Sequence, residues 1–101
     1  MHRVVSMLGL AAILLTFAGH ARAQESVGIP VCDEYLTGYE RCIRSHTPAD
    51  QREGMLKLLE TMRKQWIETA KNADFKPMIE KTCESNLKQM RRAMKQIGCT
   101  M

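Results

Sequence analysis

Four cysteines, Cys32, Cys42, Cys83 and Cys99, constrain this chain more than any other feature: the first three fall on apolar stripes with helical spacing and the fourth follows a glycine that ends one. What the thiols do depends on the compartment, and the first 23 residues address that. Met1-His2-Arg3 opens with a positive charge, Val4 to Ala18 is almost wholly apolar, and Ala21-Arg22-Ala23 is a small-x-small box. That combination predicts a secretory signal peptide over residues 1–23, cleaved before Gln24. Exported chains meet oxidants, so the four cysteines are expected to form two disulfides rather than to hold a metal or act as nucleophiles. The expected location is periplasmic or secreted. A membrane anchor is the competing possibility, but Val4 to Ala18 as a helix spans only about 22 Å against a hydrocarbon layer of roughly 30 Å. With no cysteine following the cleavage box, a bacterial lipid anchor is disfavoured, and no transmembrane segment is expected after processing.

Gln24 to Met101 is one small domain at most, and a chain of that size buries too little apolar surface to be comfortably stable unaided. Disulfides are a usual remedy. Losing Arg3 and Arg22 lowers the formal charge from +4 to +2, since no acid precedes Glu25. So weak a basic excess makes no case for a nucleic-acid partner.

Three helical patterns follow one another. Cys32, Tyr35, Leu36, Tyr39, Cys42 and Ile43 repeat at spacings of three and four from a start near Ile29-Pro30-Val31, and the pattern ends around Ser45-His46. Thr47-Pro48-Ala49-Asp50 then reads as a second start, with Thr47 as the cap, Pro48 in the first helical position and Asp50 as the capping acid. The second stripe is Met55, Leu59, Met62, Trp66, Thr69 or Ala70, and Ala73; its outer face carries the pairs Glu53/Lys57 and Glu60/Lys64. Asp74 is the expected cap of a third helix, with Pro77 in its first turn, a stripe of Ile79, Cys83, Leu87, Met90, Met94 and Ile97, and Gly98 as the C-terminal stop. Alternating β-branched runs and hairpin turns are missing. The fold class is therefore all-α, an up-down-up three-helix bundle over residues 30–101, with 24–29 as a flexible leader.

That topology chooses among the three possible disulfide connectivities. Helices one and three run in the same direction, and Cys32 and Cys83 each lie about 14 residues, or roughly 21 Å, from the ends of their helices. Cys42 sits about one turn from the same end, where Cys99 returns beyond Gly98. Cys32 with Cys99 would need thiols roughly 20 Å apart to meet within a Cα separation of about 4.4–6.8 Å. The pairing Cys32–Cys83 and Cys42–Cys99 is therefore expected, each worth on the order of 4 kcal/mol in the chain-entropy model.

Chemistry is harder to find. Thiol oxidoreductases favour C-x-x-C, and here nine residues separate Cys32 from Cys42. His46 is the sole histidine beyond the leader, and no nucleophile elbow is present. A non-enzymatic protein without a cofactor is expected. Soft-metal binding is the alternative: thioethers suit Cu(I), Met90 and Met94 lie one turn apart, and Met101 and His46 belong near the same end. Against it, Met55, Met62, Met90 and Met94 fall on the core stripes, where methionine is ordinary filler. For a partner, two features are candidates: Trp66, the largest anchor of the second helix, and the polarised end of the third, where Lys88, Arg91, Arg92 and Lys95 face away from Leu87, Met90, Met94 and Ile97. Such a basic face suits an acidic protein or an anionic envelope component.

Ile29-Pro30-x-Cys32-Asp33-x-Tyr35-Leu36, Tyr39-Glu40-x-Cys42, the Thr47-Pro48 start and two distant cysteines resemble a group of short exported α-helical four-cysteine proteins of Gram-negative bacteria. The resemblance covers most of Val31 to Cys99 and transfers no functional residue. Thr47-Pro48-Ala49-Asp50-Gln51, ahead of a methionine-rich helix, is also similar to the L-T-x-x-Q repeats of Spy- and CpxP-like periplasmic chaperones. It departs from them in having His46 for the leucine, Gln51 one residue late, and this cysteine pattern. Two functions follow: an interaction or envelope accessory protein, or a copper or small-ligand binder.

Overall fold

A computed structural model describes residues 25–101; the expected signal peptide, its cleavage box and Gln24 lie outside the described residues. Three α-helices follow in order, α1 over Pro30–His46, α2 over Ala49–Ala70 and α3 over Lys76–Gln96, packed as an up-down-up bundle. The disulfides are Cys32–Cys83 and Cys42–Cys99, with Cα separations of 5.0 Å and 5.8 Å. The first ties α1 to α3, the pair of helices in most extensive contact, and the second ties α1 to the segment just past the end of α3.

The core is unevenly supplied. From α1 come Cys32, Tyr35, Leu36 and Ile43, and from α3 come Ile79, Cys83 and Leu87, all buried. The sole apolar side chain that α2 buries fully is Leu59; Met55, Met62, Trp66 and Ala70 of its stripe, with Leu56 and Ile67, are half-buried against the cluster. The second helix is therefore a cover over a covalently joined α1–α3 frame. Ala73, expected at the end of that stripe, is exposed, because α2 stops at Ala70 and the chain turns.

Residues 25–29, expected to be a loose leader, are packed. Val27 and Ile29 are buried in the core cluster. Asp33, in the first turn of α1, gathers the segment: Oδ1 accepts from the Val27 amide at 2.8 Å and Oδ2 from the Ser26 hydroxyl at 2.7 Å. Gly28, at φ +83°, makes the left-handed turn that lets Val27 and Ile29 both face inward.

Helix termini differ from the expected pattern in two places. Thr47 ends α1 instead of capping α2: it precedes a proline and so is held extended, at φ −104° and ψ 135°, with its amide on the Ile43 carbonyl. Pro48 is the N-cap, with no side-chain capping bond, and Asp50 completes no capping box. Asp74 likewise does not cap α3. It is caught in a turn where its amide donates to Asn72 Oδ1 at 3.0 Å, and the N-cap is Phe75. Pro77 lies in the first turn as expected, and Gly98, at φ +83°, stops α3: Cys99 N bonds Met94 O and Gly98 N bonds Lys95 O, a Schellman motif. This reversal turns Cys99 back towards Cys42. It also leaves Ile97, expected on the core stripe, 53% exposed just beyond the end of the helix.

Candidate functional site

Because Ile79, Cys83 and Leu87 are buried against α1, the opposite face of α3 is held outward by the disulfide frame. Lys88, Arg92 and Lys95 are exposed there, joined by Lys81, which sequence reasoning had left out. At 100° per residue the four lie within about 60° of one another, along a ridge of about 21 Å. None of the four has an ion-pair or hydrogen-bond partner among the described residues. The helix as a whole carries six cations against two acids, Glu80 and Glu84. The wheel that groups Lys88 with Lys95 places Lys81 beside them as well; Glu80 and Glu84, close to it in sequence, masked it.

Arg91, expected in the same group, is used differently. Its Nη2 bonds Glu34 Oε1 of α1 at 2.5 Å and its Nε donates to the Met101 carbonyl at 3.3 Å. It is a tie between α3, α1 and the C-terminal tail. A shallow cleft of about 510 Å³ lies beside the ridge, lined by Val31, Lys81, Glu84, Ser85, Leu87, Lys88 and Arg91.

Trp66 does not join this surface. It is half-buried on α2, its ring centroid 5.8 Å from that of Tyr35, which in turn lies 5.8 Å from Tyr39. Burial, reinforced by Tyr39, raises the Tyr35 phenol above its ordinary pKa of 10.0. Of the residues considered for a soft metal, Met90 and Met101 are half-buried against the core, and Met101 lies over Gly38, where a Cβ would come within 3.2 Å of its terminal methyl. Met94 is half-buried beyond that cluster, and His46 is exposed with Nδ1 2.6 Å from the Ser45 hydroxyl. Among the described residues no three His, Cys, Asp or Glu side chains form a metal-sized group. All four sulfurs are in disulfides and buried, so thiol exchange has no exposed atom to begin from.

Sequence reasoning missed Arg63. It is 3% exposed on α2, four residues after Leu59 and so on the same face, where Met62 had been placed in the stripe instead. Its Nη1 donates to the Glu25 carbonyl at 3.4 Å, and its Nε stands 3.5 Å from Glu60 Oε2 without a hydrogen bond. A cleft of about 370 Å³ beside it is lined by Ser26, Asp33, Thr37, Glu40 and Arg63. Its charges are engaged locally: Asp33 holds the N-terminal segment and Glu40 pairs with Arg44 at 2.9 Å. Arg63 thus ties α2 to the Glu25 carbonyl at the start of the N-terminal segment.

No protein-family model matches the chain, and no curated protein or solved structure shows significant similarity to it.

Proposed function

We propose that this chain is a non-enzymatic accessory protein of an exported compartment, acting by docking the basic ridge of α3 onto an anionic partner. The observation that carries this is the ridge itself: Lys81, Lys88, Arg92 and Lys95 exposed on one face and unpaired among the described residues, on the helix that both disulfides brace. With no internal ion pair to break, these cations are free to meet an anionic partner, and a rigid backing means that little backbone ordering entropy is lost on binding. Two disulfides are compatible with an oxidising compartment. Among the described residues no helix is long and apolar enough to cross a membrane.

Retention of the oxidised protein on immobilised dextran sulfate tests the proposal. Binding that weakens steadily with salt, and is lost in Lys88→Glu/Arg92→Glu with helicity unchanged, is expected. Elution of wild type and variant together at low salt would overturn it.

A further inference from the structure

The ridge ends beside a second feature that a purely ionic partner would not use. One turn before Lys81, the α2–α3 corner exposes two large apolar side chains, Phe75 at 47% and Met78 at 57%. They stand three residues apart, and so are neighbours on the helix surface. The exposed Pro77 lies between them, and exposed Lys76 is adjacent. The corner holds this display in place: the Phe75 amide donates to Asn72 O at 3.1 Å, Asn72 Oδ1 accepts from the Asp74 amide, and the Ile79 amide bonds Phe75 O. Burial of either side chain within the bundle is prevented by α3 itself, whose inward positions are taken by Ile79 and Cys83.

We infer that α3 docks on an anionic phospholipid bilayer, with Phe75 and Met78 entering the headgroup–acyl boundary while Lys81, Lys88, Arg92 and Lys95 meet lipid phosphates. This rests on the ionic docking proposed above and names its partner. Charge complementarity supplies one half of the argument. The apolar pair supplies the other, because cations beside exposed aromatic and aliphatic side chains are the combination that an interface, polar above and apolar below, satisfies at once. On the wheel, Met78 lies about 60° and Phe75 about 120° from Lys81, so the apolar pair flanks the ridge and meets the same surface when the start of α3 tilts and rolls towards it. Asp74, Glu80 and Glu84 are the opposing charges on this side, fewer than the cations. Each cation at a negative bilayer is worth about a fivefold gain in binding, and half-burying two large apolar side chains about tenfold or more together.

The test is co-sedimentation of the oxidised protein with vesicles of phosphatidylcholine alone or mixed with phosphatidylglycerol, alongside retention on dextran sulfate. Wild type is expected to sediment with the anionic vesicles and not with phosphatidylcholine. Phe75→Ser/Met78→Ser, at exposed positions that leave the core intact, is expected to lose about tenfold in vesicle binding while keeping its retention on dextran sulfate. Lys88→Glu/Arg92→Glu should lose both. If the apolar double variant sediments like wild type, or wild type binds dextran sulfate but not vesicles, the bilayer is the wrong partner and the ionic proposal stands. Equal sedimentation with phosphatidylcholine alone would overturn the inference, and failure of wild type on every anionic probe would overturn both.

Discussion

Deleting one disulfide measures how much of the fold is held by topology. With Cys32–Cys83 intact, the loop that Cys42–Cys99 closes is not the full 57-residue separation. The route already available runs ten residues from Cys32 to Cys42 and sixteen from Cys83 to Cys99, about 26 in all. The chain-entropy relation then gives about 3.5 kcal/mol for the second bridge, against about 4 kcal/mol for either bridge alone. Cys42→Ala/Cys99→Ala should therefore lose about 3.5 kcal/mol, plus whatever is lost when Arg41 Nη2 releases the Thr100 carbonyl and Met101 leaves Gly38. For a domain of this size that corresponds to a fall in Tm of roughly 15–25 °C. Cys32→Ala/Cys83→Ala removes a loop of the same effective length, so entropy alone predicts an equal loss. Any excess reports the cavity at these wholly buried sulfurs. Denaturant unfolding followed by circular dichroism, under non-reducing conditions, reads both variants. A loss below about 1 kcal/mol for either would refute the topological account.

Trp66→Ala should cost about 2–3 kcal/mol, less than for a fully buried indole, and should raise amide exchange in α2 well before α1 or α3; an unchanged melting temperature would show that the Tyr35 contact carries no stability. With the folded Tyr35 phenol raised above 10.0, the unfolded chain releases its proton first, so stability should fall as pH climbs past that value. Tyr35→Phe should flatten this alkaline slope, and a phenolate absorbance titration of the wild type should show a component above 10.0 that is missing from the variant. Identical alkaline melting of the two proteins would sink the argument.

The disulfide pairing was legible because helical rise turns sequence offsets into heights: Cys32 and Cys83 are level, and Gly98 brings Cys99 back to Cys42. The stripes of α1 and α3 were legible for the same reason. Caps were not. Thr47 and Asp74 have the right side chains, but a following proline fixes Thr47 as extended and the Asn72 side chain claims the Asp74 amide. Packing of residues 25–29 was hidden because its determinants, Asp33 and Arg63, are charged residues that apolar periodicity ignores. In the candidate site, Lys88, Arg92 and Lys95 could be read from the wheel, whereas the engagement of Arg91 with Glu34 crosses between helices and Phe75 sits in a corner whose direction no periodicity describes.

The bridges also dictate how the folded chain bears tension. Pulled from residues 25 and 101, force passes down seven residues to Cys32, along ten of α1 to Cys42, across to Cys99 and out through the last two. That path tightens at about 65 Å, whereas the described chain without bridges would extend to roughly 270 Å. The whole of α2 and the Phe75 corner hang in a slack loop off this line and carry no load. Traction applied at residues 25 and 101 therefore loads the Cys32–Cys42 and Cys83–Cys99 segments in parallel, the shorter tightening first, and a cut anywhere in α2 leaves those two residues joined.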